Sequence, residues 1–130
     1  MRLTLDGDEL HSALNDDEEF RLQARYWDGS LQLEFGEQVY VLRLAEGEVV
    51  EVSSSAVAQD EPRTVIISAP VEDWAELLAP VPRPFYQEFY PAMWHHGFEL
   101  RGDPDYVWPY YTALRRAGEV LRDVVSIEED

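Results

Sequence analysis

The chain has 130 residues, 45% of them apolar, which suffices for one core and leaves no room for a second domain. Its 27 Asp and Glu face 10 basic residues, all Arg, for a formal charge of −17 that repels nucleic acid and anionic membranes; no basic cluster exceeds the Arg115-Arg116 pair. The lack of cysteine excludes disulfides, thiolate metal sites, iron-sulfur centres and a cysteine nucleophile, and without a signal-peptide-like start or an apolar run of about 20 residues the expected compartment is the cytoplasm, with no stable membrane insertion.

In chain order, Asp6 or Asp8 can cap a short helix in which Leu10, Ala13 and Leu14 share a face, and Asn15-Asp16-Asp17-Glu18-Glu19 ends it. From Phe20 the period changes to two. Phe20, Leu22, Ala24 and Tyr26 alternate with Arg21, Gln23 and Arg25, which predicts a half-buried strand. Asp28-Gly29, Gly36-Glu37 and Glu46-Gly47 then punctuate strands at Leu31 to Phe35, Val39 to Leu44 and Val49 to Val52. Turns this short forbid parallel crossovers, so an antiparallel meander is expected, with Thr64 to Ile67 joining after the polar stretch from Ser53 to Pro62.

The second half switches to helical signals. Pro70, Glu72 and Asp73 open a helix with Val71, Trp74, Leu77 and Leu78 inside. Pro80, Pro82 and Pro84 interrupt the chain, and Phe85, Phe89 and Met93 predict a further helix that Pro91 should kink or split and Gly97 should end. Phe98 and Leu100 mark one more strand, Gly102-Asp103-Pro104 a turn, and Val107, Tyr111, Leu114, Gly118, Leu121 and Val125 the stripe of a last helix that begins near Trp108.

Three stretches resemble the sterol carrier protein 2 (SCP2) family. Gln38 to Leu44 with Glu46-Gly47 is similar to the family's strand, turn and strand; Thr64 to Ser68 followed by Glu72 to Leu78 is similar to its threonine-led strand and helix; and Met93 to Asp103 is similar to its glycine, alternating strand and Gly-Asp turn. The likeness runs from about Phe20 to Leu121, within a chain read as one domain over residues 1–130. It implies an α+β fold, a five-stranded, mainly antiparallel sheet covered by helices, with an apolar molecule held between them.

Eleven aromatic residues fall between Trp74 and Tyr111, and their Tyr and Trp members combine an apolar body with a polar tip that can orient a ligand. Trp74, Phe85, Phe89, Met93, Trp108, Tyr111 and Leu114 are the candidate ligand-binding residues. His95 and His96 are neighbours that point about 100° apart on a helix and are poorly placed to share a metal ion. No catalytic residue, metal ligand or cofactor is assigned. Gly-x-Ser-x-Gly, phosphate-loop and dinucleotide motifs are missing. The expected function is therefore non-enzymatic carriage of a lipid, fatty acyl, sterol or polyketide-like compound. The alternative is an interaction module with its own aromatics in place of a ligand, docking on a partner enzyme or forming a homodimer.

Overall fold

The computed structural model describes residues 1–58 and 60–129. A short strand, β1 (Arg2–Thr4), precedes helix α1 (Gly7–Asn15), which Asp6 caps by accepting the Asp8 N–H at 2.9 Å. Leu10 and Leu14, four apart, bury the inner face of α1.

The next segment is a helix, α2 (Glu18–Ala24), and not the strand its alternation suggested. Asp17 accepts the Phe20 N–H at 2.7 Å, and Glu18 and Glu19 occupy the first turn, where carboxylates suit the helix dipole. Phe20 and Ala24 form the buried pair at helical spacing, whereas Leu22 and Tyr26, which a two-residue period places on the inner side, face solvent. The acidic run therefore ends one helix and starts another.

The strands β2 (Gly29–Phe35), β3 (Gln38–Ala45), β4 (Glu48–Ser53), β5 (Thr64–Ala69) and β6 (Glu99–Gly102) form one sheet in the order β4-β3-β2-β5-β6. The five-stranded, mainly antiparallel sheet is as expected, but its fifth member is β6 in place of residues 20–26. A second departure is that β5 runs parallel to β2, with Leu31 beside Val65 and Leu33 beside Ile67. β4 points the same way as β2, so a chain leaving β4 must return the length of the sheet before β5 begins. The ten residues between them can reach up to about 33 Å, enough for that return, and within this connection the Val57 N–H donates to Gln32 Oε1 at 2.9 Å. Short turns dictate antiparallel pairing within the hairpins, and this one long connection escapes that rule.

All helices that matter for the candidate site lie on the other face. They are α3 (Val71–Leu77), α4 (Phe89–His95), α5 (Pro104–Val107) and α6 (Tyr111–Val124). Pro91 is the third residue of α4, where its missing N–H removes a group that had no intrahelical partner, so it marks the start of this helix without kinking it. Phe85 consequently lies outside the helix it was expected to begin. Leu31, Leu33, Phe35, Val65 and Ile67 from the sheet meet Trp74, Phe89, Leu114 and Leu121 from the helices in one buried cluster. Gly118 of α6 lets the Phe89 ring approach: a methyl there would stand 3.0 Å from Phe89 Cε2. A final strand, β7 (Ser126–Glu128), pairs with β1 and ties the two ends of the described chain together over buried Leu3. Strands of three residues, like these two, are too short to show a period in the sequence.

Candidate functional site: a closed aromatic layer and an open rim

Trp74 is the centre of the closed layer. Its indole N–H donates to the Glu34 carbonyl at 2.7 Å, so a fully buried polar group is satisfied, and its ring meets Phe35, Phe98 and Phe89 edge-on at centroid distances of 4.5, 4.9 and 5.7 Å. Four rings from β2, α3, α4 and the start of β6 thus occupy the space between sheet and helices. Tyr86 closes the layer beside α3: its hydroxyl donates to Asp73 Oδ1 at 2.6 Å, and burial together with that carboxylate pushes its phenol up to about 12.

Outside this layer the same aromatic-rich stretch forms an exposed rim. Trp94 is 68% exposed and packs edge-on against Tyr90, which in turn meets Trp108 and Tyr111 at 6.1 and 6.2 Å. Tyr111 joins rim to layer. Its hydroxyl donates to Glu88 Oε1 and accepts the Tyr90 N–H, both at 2.7 Å, so a side chain of α6 caps α4, whose own preceding residue supplies no cap. Burial and the Glu88 carboxylate raise the Tyr111 phenol above its ordinary range.

Phe85 sits at the far end of the rim. The Tyr86 N–H bonds back to the Arg83 carbonyl at 3.0 Å, forming a type II turn with Pro84 at its second position and Phe85, φ +69°, at the third, where glycine is usual. The ring is exposed and stacks on His95 at 3.7 Å; the next histidine, His96, stacks instead on Tyr86 at 3.7 Å. The two imidazoles thus have separate aromatic partners, and among the described residues no group of three His, Asp or Glu is placed to hold a metal ion. The Arg101-Gly102-Asp103 tripeptide is likewise engaged within the fold: Arg101 pairs with Glu34 at 3.3 Å, and Asp103 caps α5 and accepts the Arg63 N–H at 2.8 Å.

The candidate residues therefore separate. Trp74, Phe89 and Leu114 are interior, Met93 and Tyr111 are half-buried between layer and rim, and Phe85 and Trp108 are exposed. Phe35 and Phe98 complete the layer and Tyr90 and Trp94 the rim; the four-residue spacing of Tyr90 and Trp94 was the available sign that they share a helix face.

No protein-family model and no curated protein matches the sequence. Solved structures do. A crystal structure of sterol carrier protein 2 superposes with a TM-score of 0.69 at 25% identity, over 90% of this chain and 93% of that one. The chain is an SCP2-like domain. A solution structure of a conserved hypothetical protein from Thermus thermophilus, described as a candidate sterol carrier protein, superposes on the SCP2-like domain with a TM-score of 0.64 at 26% identity, over 92% and 86% of the two chains. UbiJ-SCP2, a ubiquinone synthesis protein, shares the fold at 16% identity with a TM-score of 0.54, over 86% and 90%. No helix among the described residues of the SCP2-like domain is long and apolar enough to cross a membrane.

Proposed function

We propose that the protein is a non-enzymatic carrier of an apolar small molecule, a lipid, fatty acyl, sterol or polyketide-like compound, admitted between sheet and helices by displacement of α4. The observation that supports this reading most is the placement of the exposed Trp94, Tyr90 and Trp108 rim directly outside the layer that holds Trp74 and Phe89. α4 is seven residues long, and Tyr111 and the Phe89 ring against Gly118 connect it to α6. If Phe89 swings out with α4, an apolar chain can take its place against Trp74 and Leu114, while Met93 adapts to the ligand's shape and the rim covers the exposed end. Each buried methylene contributes about 0.8 kcal/mol, so a ten-carbon chain offers roughly 8 kcal/mol before ordering costs. The likeness to a protein named for carrying sterols supports the same reading.

One observation favours a second reading. The rings of Phe35, Trp74, Phe89 and Phe98 already fill the layer, which suits a module that assists a partner enzyme or pairs with a second copy through its rim. Native purification, organic extraction and mass spectrometry decide between the two, followed by Trp fluorescence titration with acyl and steroid probes. A carrier yields a stoichiometric apolar compound, or saturable quenching at micromolar probe that Trp94→Ala weakens. An empty extract without saturable quenching overturns the carrier reading and leaves the docking module.

A further inference from the structure

An open cleft of about 810 Å³ separates the end of α2 from the α5–α6 junction. Its floor is a braced stack. Buried Trp27, held by its indole N–H to the Arg63 carbonyl at 3.1 Å, lies under Tyr110 at 5.2 Å, and Tyr110 lies parallel to Tyr106 at 5.6 Å and 10°. Tyr26 also lines the cleft, 77% exposed, with φ +72°. This too is a type II turn, Ala24 to Trp27, closed by the Trp27 N–H to the Ala24 carbonyl at 3.0 Å, with a tyrosine where glycine is usual. Three contacts fix the strained turn: that bond, the Gly47 N–H to the Trp27 carbonyl at 3.1 Å, and the Tyr110 hydroxyl to the Arg25 carbonyl at 3.2 Å. A bulky residue held at positive φ costs of order 1–3 kcal/mol, and here the result is an exposed aromatic side chain in a cleft that two others line.

The polar groups of the cleft are mostly unengaged donors. The Thr112 hydroxyl donates to Gln23 Oε1 at 2.8 Å, and the Gln23 amide N–H groups have no partner among the described residues. Arg25 makes no ion pair among the described residues and lies over the Tyr26 ring at 5.9 Å; the Tyr106 hydroxyl has no hydrogen-bond partner among them. One carboxylate, Asp105, lines the cleft and makes no ion pair among the described residues.

We propose that this cleft docks a proline-rich, arginine-bearing segment of another protein. A polyproline II strand has no internal hydrogen bonds, and its prolines offer carbonyl acceptors and no N–H donors, so its complement is a donor-rich surface between flat rings on which pyrrolidines can lie. Tyr26, Tyr106 and Tyr110 supply the rings and Gln23, Arg25 and Tyr106 the donors. The overall charge of −17 favours a cationic ligand, with Asp105 as the carboxylate in the cleft that can pair with it, while Arg25 is left to donate to the strand's carbonyls. The same charge opposes a second copy as the occupant, although Pro80 to Pro84 of this chain, with Arg83, has the right composition. The inference does not depend on the carrier reading, since the cleft shares no residue with the layer or the rim.

The test is calorimetric titration of the full chain with a synthetic ten-residue peptide built on Pro-x-x-Pro with two flanking arginines, beside matched peptides with Pro→Ala or Arg→Glu. Saturable binding at micromolar to submillimolar peptide is expected, weakened about tenfold or more by either peptide change, by Arg25→Ala and by Tyr106→Ala. Arg25 is exposed, so its variant reports on the cleft even if Tyr106→Ala lowers stability. No saturable binding overturns the proposal. So does equal binding of the Pro→Ala peptide, which would mean attraction by charge alone. Concentration-dependent self-association in sedimentation, abolished by Arg83→Ala and blocked by the peptide, would assign the cleft to a second copy and equally overturn it.

Discussion

Trp74 and Trp94 lie 20 residues apart in one aromatic-rich stretch, yet the first is fully buried with its N–H satisfied and the second is 68% exposed. Around Trp74 the rings meet edge-on and the polar groups are paired; around Trp94 they form a loose rim held by one hydroxyl, that of Tyr111. Aromatic content alone does not distinguish a packed layer from a surface prepared for something else. Burial and polar satisfaction do, and they assign different costs to the same substitution. Trp74→Ala is expected to destabilise the fold by about 3–5 kcal/mol, through the void it leaves among the layer's rings. Trp94→Ala should change stability by less than about 0.5 kcal/mol. Denaturant unfolding of the two variants measures this directly, and equal costs would remove the distinction between layer and rim.

The closed side also carries a charged clasp. Arg116 of α6 contacts both oxygens of Asp17 at 2.6 to 3.1 Å, at side-chain exposures of 30% and 13%, so the residue that starts α2 also fastens it to α6. The Arg116 hydrogen bond is the main cause of a carboxyl held below its ordinary 3.8, against burial, which opposes the shift. Asp17→Asn keeps the capping oxygen and removes the charge, and should cost about 1–2 kcal/mol at neutral pH. A depressed pKa stabilises the fold above the unfolded value and stops doing so as pH falls through the folded one. The difference between wild type and Asp17→Asn should therefore be constant at neutral pH and shrink below 3.8. A difference that persists undiminished in acid would show that the asparagine harms the cap and that the charge contributes little.

How much of this was legible in the sequence follows the length scale of the signal. α1, α3, the two hairpins and the stripe of α6 were readable because each repeats its period or carries its turn residues locally. Residues 20–26 mislead because Phe20, Leu22, Ala24 and Tyr26 fit period two, while the decisive capping bond comes from Asp17 inside an acidic run that looks like an end. The parallel register of β5 depends on a connection long enough to cross the sheet, and length does not announce direction. For the candidate site, the aromatic population was visible but its division was not. That division rests on α4 starting at Phe89, with Pro91 in its first turn, and on a positive φ at Phe85 that no local composition signals.

Phe85 offers the finest test of the division, because its stability terms nearly cancel. Glycine at this position would relieve the positive-φ cost of about 1–2 kcal/mol. Against that gain stand the lost stacking on His95, about 0.5–1.5 kcal/mol, and the greater unfolded-state freedom of glycine, about 0.5–1 kcal/mol. Phe85→Gly should consequently leave stability within about 0.5 kcal/mol of wild type. If the rim takes part in holding an apolar ligand, the same variant weakens saturable probe binding severalfold while thermal unfolding stays put, since it removes an exposed ring without disturbing the closed layer. A drop in stability of about 2 kcal/mol or more would instead place Phe85 with the closed layer and move the boundary between the two regions to the far side of His95.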